Sequence, residues 1–202
     1  MRKIKSLFVL VPTVIFSTIV YAQTNKKVTD YLHIPGPVIF ENKSYNLSWT
    51  SHPSAGFYKQ EYIQKGENPD RFNAMILFDV TTDNTDIKAV VASKIEEIKK
   101  MKVSNPLVNY NSFDNPKTGE YMIDFLLSAN GPDGKTSVVE RNVYRYKSFT
   151  DKSGNKGIML FGVSTRSYGN DIDQFLVSLK SNKKDMVNAV AKFTLPEIAV
   201  SK

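Results

Sequence analysis

Three long segments separated by turn residues, at positions 119–130, 136–149 and 157–168, constrain the fold of this chain most. Long segments bounded by turn residues in this way are typical of β-strands joined by hairpins. The connections at 131–134 and 151–155 contain the glycine, proline, aspartate and asparagine residues that tight turns require. The three segments therefore predict an antiparallel meander.

Both faces of this meander are apolar. If Leu127 lies opposite Val138, one face carries Tyr121, Ile123, Phe125, Leu127, Val138, Tyr144, Tyr146, Ile158 and Leu160. The other face then carries Met122, Leu126, Val139, Val143, Met159, Phe161 and Val163. An antiparallel sheet with one solvated face would have a polar side instead. We therefore expect both faces to be at least partly covered.

Two helices are predicted to supply cover. Residues 86–102 place Ile87, Val91, Ile95 and Ile98 on one stripe, which indicates a surface helix with one buried face. A second helix is predicted from Asn170, as its cap, to Phe193, with Ser181 and Asn182 as a possible interruption. Its apolar stripe would cover the second face of the meander.

Strand-like sequence begins at position 38, and further strands are predicted at 45–49, 57–64, 74–80 and 107–113. The fold class expected is a single α+β domain, with a mainly antiparallel twisted sheet of about six to seven strands flanked by two helices. The layout of residues 38–193 resembles the PsbP-like α/β/α sandwich, chiefly through the helix that follows strand 74–80 and the closing helix. This resemblance implies a small, usually non-catalytic module that binds other proteins.

The first 22 residues have the composition of a secretory signal peptide. Arg2, Lys3 and Lys5 precede an apolar run at 7–20, and Ala22 is the small residue at the expected cleavage site. The domain organisation expected is a signal peptide at 1–22, an N-terminal arm at 23–36, a single domain at 37–196 and a C-terminal tail at 197–202. The mature protein is expected in the periplasm or secreted, without a stable membrane anchor.

Composition limits the chemistry available. Without its first 22 residues the chain carries 24 basic and 20 acidic side chains, so its formal net charge is +4. The basic residues are scattered among acidic ones, which argues against nucleic-acid binding. The chain has no cysteine, and this excludes disulfides, thiol catalysis and thiolate metal sites. We expect no cofactor.

The residues that most often carry catalysis or metal binding occur without their usual partners. His33 and His52, the two histidines, are not part of any H-E-x-x-H or G-x-S-x-G spacing. Asp151, Ser153 and Asn155 have a spacing similar to part of a calcium loop, but a hairpin turn explains the same residues. No catalytic residue and no metal ligand is therefore predicted.

Acidic residues in the predicted strands leave an alternative open. Glu61, Asp79 or Asp124 could form the carboxylate site of an exported hydrolase if two of them share a pocket without a basic partner. Basic residues in the same strands favour structural ion pairs instead. Glu140 opposite Arg166 is the pair predicted most directly.

Tyrosine and arginine are concentrated in the same strands, and both are enriched at binding hot spots. The candidate binding residues are Tyr58, Tyr62, Arg141, Tyr144, Arg145 and Arg166. Alternation along a strand would divide them between two faces. The function expected is an exported, non-enzymatic interaction domain that binds a protein or small ligand in the cell envelope. The alternatives are the hydrolase and an inhibitor or immunity-type protein.

Overall fold

The computed structural model describes residues 28–82 and 85–200. The predicted signal peptide at 1–22 lies outside the described residues. Among the residues that the structure describes, no helix has the length and apolar character needed to cross a bilayer.

The described residues form one antiparallel sheet and three α-helices. The strands are β1 (Val38–Phe40), β2 (Lys43–Ser54), β3 (Phe57–Gln64), β4 (Ala74–Thr81), β5 (Asn109–Asn115), β6 (Glu120–Asn130), β7 (Thr136–Thr150) and β8 (Lys156–Tyr168). The helices are α1 (Ile87–Ser104), α2 (Ile172–Ser181) and α3 (Lys183–Lys192). The prediction of an α+β domain with a large antiparallel sheet is confirmed.

The predicted strand number was wrong, because the sheet has eight strands in the described ranges rather than six to seven. The strand-like sequence predicted from Val38 forms a separate strand of three residues, β1, which pairs with β2 and brings the count to eight. The number of helices also differs. The second predicted helix is divided at Asn182 into α2 and α3, and Asn170 lies in a single 3-10 turn before α2 rather than at its cap.

The order of strands across the sheet is β1-β2-β3-β4-β8-β7-β6-β5. Strands β1 to β4 form one meander and β5 to β8 form another, with α1 between them in the sequence. The two meanders meet where β4 pairs with β8, from Ala74 opposite Thr165 to Thr81 opposite Ile158. This pairing places residues from the two halves of the chain side by side.

One face of the sheet, which we call the α1 face, packs against α1. Asp86 begins the helix by accepting a hydrogen bond from the Lys88 amide at 3.3 Å. The apolar stripe predicted for this helix is confirmed, since Val91 and Ile98 are buried against the sheet. The sheet contributes Ile123, Phe125, Tyr146 and Ile158 to this part of the core.

The opposite face, which we call the α3 face, packs against α3 and against both ends of the described chain. Val190 of α3 is fully buried there, and Met186, Val187 and Phe193 pack beside it. Leu32 and Ile34 from the N-terminal segment and Ile198 from the C-terminal segment are buried in the same core. Phe193 stacks on Phe161 of β8 with ring centroids 4.4 Å apart. Helices therefore cover both faces of the sheet.

Candidate functional site

A groove lies on the α1 face, between α1 and strands β3, β4, β7 and β8. Its volume is about 460 Å³. We call it the α1 groove, and the residues that carry its chemistry are Phe57, Asp79, Lys94, Glu97, Tyr146 and Leu160. A concave, largely apolar site with a few polar groups is the usual form of a small-ligand site.

The floor of the groove contains Asp79, Leu160 and Tyr146, which belong to a row of side chains across four strands. The fourth member of the row, Lys59, lies beside the groove. Lys59 pairs with Asp79, Asp79 with Leu160, and Leu160 with Tyr146. Because directly opposed residues share a face of the sheet, all four side chains project toward α1. The row exists only because β4 pairs with β8.

Asp79 is the acidic group of this floor, and its side chain is 19% exposed. Its carboxylate forms an ion pair with the Lys59 ammonium at 3.3 Å. Burial raises the pKa of Asp79, while Lys59 and Lys94 oppose that rise. The same Lys59 ammonium lies 5.7 Å from the centroid of the Phe57 ring. An ammonium group is therefore held between a carboxylate and an aromatic ring.

Helix α1 supplies the roof of the groove. Lys94 and Glu97 are three residues apart and form an ion pair at 3.0 Å. The Lys94 ammonium also lies 5.4 Å from the centroid of the Phe125 ring. Below them, burial raises the pKa of Tyr146 far above its ordinary value, and the negative charges of Asp79 and Glu97 add to the rise. Tyr146 therefore stays a neutral phenol at physiological pH.

The neighbouring row of the sheet carries a carboxyl group without an ion pair. Glu61 pairs with Leu77, Leu77 with Gly162, and Gly162 with Tyr144. Among the described residues, Glu61 has no salt-bridge partner. Burial raises the pKa of Glu61, with further contributions from nearby charges that include Lys59, which lowers it, and Asp79, which raises it.

Gly162 allows the side chains of this row to close over β8. A Cβ at Gly162 would lie 2.8 Å from Leu77 Cδ1 and 2.9 Å from Tyr144 Cδ1, closer than packed carbon atoms approach. The absence of a side chain lets Leu77 and Tyr144 occupy that space. A residue with a side chain at this position would have to displace Leu77 or Tyr144.

The structure divides the six predicted binding residues between the two faces. Tyr58, Tyr62, Arg141 and Arg145 lie on the α3 face, and each of them is buried. Tyr144 and Arg166 lie on the α1 face and are partly exposed. The structure therefore does not bring the six residues together in one patch.

The two arginines of the α3 face hold α3 on the sheet. Arg141 donates two hydrogen bonds to Asp124, at 2.9 and 3.2 Å, and one to the Lys183 carbonyl at 2.6 Å. Arg145 pairs with Glu120 at 2.8 Å and donates to the carbonyls of Val190 and Phe193. The guanidinium groups of both residues therefore join the sheet to the helix.

The tyrosines of the α3 face are also packed against protein groups. Tyr58 stacks on His52 with ring centroids 4.2 Å apart. The Tyr62 hydroxyl accepts a hydrogen bond from Gln60 Nε2 at 2.6 Å, and Gln60 Oε1 accepts one from the Leu32 amide at 3.0 Å. These contacts connect β3 to the N-terminal segment.

The predicted carboxylates are similarly separated. Asp124 is paired with Arg141 on the α3 face, whereas Asp79 and Glu61 lie on the α1 face. The predicted pairing of Glu140 with Arg166 is confirmed by the register and by their ion pair. Of the three carboxylates considered for a hydrolase, only Glu61 and Asp79 are neighbours, and Asp79 has a basic partner.

The Asp151 loop is closed by its own N–H groups. The Asp151 carboxylate accepts hydrogen bonds from the Ser153 and Asn155 amides, at 2.9 and 2.8 Å, and from Asn155 Nδ2 at 2.8 Å. Burial opposes ionisation here, but the hydrogen bonds outweigh it and lower the pKa of Asp151. Within 28–82 and 85–200, no group of three or more His, Cys, Asp or Glu side chains could hold a metal ion.

Sequence reasoning did not identify the α1 groove. The available signal was the alternation that puts Phe57, Lys59 and Glu61 on one face of β3 and Asp79 on one face of β4. The alternating pattern does not show which strands lie next to each other in the sheet.

Comparison with known proteins gives one match. The model of an uncharacterised protein family matches residues 32–195, which include all eight strands and all three helices of the described chain. No curated protein and no solved structure matches. The resemblance to the PsbP-like sandwich is not confirmed by these comparisons. Since the match covers most of its length, the chain belongs to this uncharacterised family.

Proposed function

We propose that this protein is an exported, non-enzymatic binding domain that takes its ligand in the α1 groove. The observation that carries the proposal is the groove itself, a concavity of about 460 Å³ lined mostly by apolar surface with a few polar groups. This volume lies within the range of known small-ligand sites. Asp79 in its floor and Lys94 in its roof provide directional contacts.

The pairing of the carboxylates favours binding over hydrolysis. General acid–base catalysis by carboxyl groups requires two groups whose ionisation states differ within one cleft. Asp79 is held by Lys59, and Asp124 is held by Arg141 on the other face. Glu61 alone keeps a raised pKa without an ion pair. That feature keeps a hydrolase as the second candidate.

Export is proposed from the composition of residues 1–22. Expression of the full chain in a bacterium with two membranes should release a protein that begins at Gln23. Intact-mass measurement of the periplasmic and cytoplasmic fractions tests this. Recovery of the full-length chain in the cytoplasm alone would contradict export.

The binding proposal is tested by an NMR screen of the purified protein against a fragment library of neutral, cationic and anionic compounds. Binding in the α1 groove should shift the amide signals of groove residues such as Phe57, Asp79 and Leu160. Fragments that bind only elsewhere, or no binding at all, would contradict the proposal.

Two matched variants test whether the fragments bind in the α1 groove. Ala89 and Ala92 are both exposed on α1, but only Ala89 lines the groove. The Ala89→Phe variant should lower fragment affinity by partly filling the groove, and Ala92→Phe should leave it unchanged. Equal effects of the two substitutions would place the binding site elsewhere.

The hydrolase alternative has its own experiment. The purified protein is assayed against esters, glycosides and peptides, and each activity is repeated with Glu61→Gln. Saturable turnover that Glu61→Gln abolishes would favour the hydrolase. Turnover equal in both proteins would exclude Glu61 as the catalytic group.

A further inference from the structure

An ammonium group lies beside the polar end of the α1 groove, paired with the groove residue Asp79. The Lys59 ammonium lies 3.3 Å from an Asp79 carboxylate oxygen and 5.7 Å from the centroid of the Phe57 ring. A carboxylate beside the face of an aromatic ring is a favourable environment for an organic cation. The protein fills this position with a flexible side chain that is 34% exposed. The position can therefore exchange one ammonium group for another.

The charges around this end of the groove leave room for one more cation. Three carboxyl groups and two ammonium groups lie at or beside it, and of these Asp79, Glu97 and Lys94 line the groove. The carboxyl groups are Glu61, Asp79 and Glu97, and the ammonium groups are Lys59 and Lys94. The adjacent Glu140 and Arg166 neutralise each other. One negative charge is therefore in excess.

The excess charge can be assigned to Glu61. Asp79 is paired with Lys59, and Glu97 is paired with Lys94 at 3.0 Å. Glu61 is two residues from Lys59 on the same face of β3, and the charge of Lys59 already acts on it. Lys59 can therefore leave Asp79 for Glu61 without leaving the α1 face.

We propose that the ligand of the α1 groove carries an alkyl ammonium group that replaces Lys59 at Asp79, while Lys59 moves to Glu61. This inference rests on the proposed function, because it assumes that the groove is a binding site. The apolar part of the ligand packs on Leu160, Ile158 and Val90, which line the groove beyond Asp79. No bond is made or broken, and each carboxylate ends with one cationic partner.

The experiment compares three ligands that share an eight-carbon chain and differ in charge. Octylamine is cationic at pH 7, 1-octanol is neutral and octanoate is anionic. Each is titrated into the purified protein below its micellar concentration, and the shifts of groove amides give its Kd. Octylamine should bind about tenfold more tightly than 1-octanol, as one charge-assisted contact predicts. Octanoate should bind most weakly.

Three substitutions test the exchange directly. The Asp79→Asn variant should remove the preference for octylamine over 1-octanol. The Lys59→Met variant should tighten octylamine binding by about tenfold, because the competing ammonium is gone and Asp79 is unpaired. The Glu61→Gln variant should weaken octylamine binding in the wild-type background and have no effect in the Lys59→Met background. Lys100→Met, at an exposed position on α1, is the control for Lys59→Met.

The outcomes separate the inference from the proposed function. If the three ligands bind in the groove with equal affinity, the ammonium inference fails and the groove remains a binding site. If octanoate binds best and Lys59→Met abolishes its binding, the ligand is an anion and the inference is overturned. If neither these ligands nor the fragment library shifts groove amides, both fail. Should Lys59→Met not fold, Lys59→Gln replaces it with the same expectations.

The alkyl ammonium group can belong to a small amine or to a lysine side chain of a partner protein. A capped Leu-Lys-Leu peptide and its Leu-Gln-Leu counterpart distinguish these sources. Lysine-dependent binding of the peptide, tighter than that of octylamine, assigns a protein partner. Binding of octylamine without binding of the peptide assigns a small amine. Failure of both to exceed their neutral counterparts overturns the inference.

Discussion

Replacement of Arg141 by methionine should be among the most destabilising substitutions in this protein. Arg141 and Asp124 are 4% and 5% exposed, so neither charge has access to bulk water. The guanidinium group donates two hydrogen bonds to the Asp124 carboxylate and a third to the Lys183 carbonyl of α3. Removing it leaves a buried carboxylate without a partner and removes one attachment of the helix.

The expected cost follows from the burial of the pair. Loss of one partner of a buried ion pair lowers the free energy of unfolding by about 3–5 kcal/mol. For a chain of this size that corresponds to a decrease in Tm of about 6–20 °C. The double variant Arg141→Met/Asp124→Leu removes both charges and leaves only the Lys183 carbonyl without its donor. Its cost should be about 1–3 kcal/mol.

Urea unfolding followed by circular dichroism measures both variants. The single variant should be the less stable of the two, although the double variant has lost more hydrogen-bonding groups. A cost below about 1 kcal/mol for Arg141→Met would refute the reasoning. A double variant as unstable as the sum of both single variants would refute it as well, because the two charges would then act independently.

Three further predictions concern individual residues. Gly157→Ala should lower the free energy of unfolding, measured by urea denaturation, by about 1–3 kcal/mol. The reason is that a Cβ on Gly157 in β8 would overlap the carbonyl oxygen of Thr81 in β4. Unchanged stability would contradict this close approach. Burial raises the pKa of Glu61, so its carboxyl stabilises the folded state below its ordinary value of 4.5, and this contribution is lost as pH rises through the folded pKa. Glu61→Gln should therefore be more stable than the wild type at pH 7 in thermal melts, and an equal or lower Tm there would oppose the assignment. The pKa of Asp151 is lowered, so its contribution is present at neutral pH and is lost as pH falls through that lowered value. Asp151→Ala should cost about 2 kcal/mol at pH 7 and show a smaller acid-induced decrease in stability than the wild type, whereas parallel pH curves would exclude a role of the Asp151 carboxylate.

The faces of the long strands could be predicted from the sequence, but their exact register could not. Leu127 lies opposite Glu140, two residues from the predicted Val138. Side chains alternate with a period of two, so this shift leaves every residue on its predicted face. The composition of both faces was therefore correct although the pairing of the first hairpin was wrong.

The contacts of the charged side chains could not be predicted from the local sequence pattern. Arg141 and Arg145 occur in a stretch rich in arginine and tyrosine, which suggests a binding surface. Their guanidinium groups reach backbone carbonyls at Lys183 and Val190, more than 40 residues later in the chain. A periodic pattern gives the face of a strand, but it does not show which helix lies on that face.

The α1 groove depends on long-range pairing in the same way. Asp79 and Leu160 are neighbours only because β4 and β8 meet at the centre of the sheet. In an antiparallel sheet most neighbouring strands are consecutive, and the sequence supports that arrangement for each meander separately. No local sequence pattern predicts that β4 pairs with β8 at the junction between the meanders.

The junction of β4 and β8 also sets the order in which the molecule can fold. Each meander is assembled from hairpins whose ends are close in sequence, so each can begin to form early. Pairing of the two meanders can begin with Thr81 against Ile158, which closes a loop of roughly 75 residues at an entropic cost. A chain released before Ile158 would lack the residues of β8 that pair with β4. Completion of the sheet is therefore a late event, possible only once β8 has emerged.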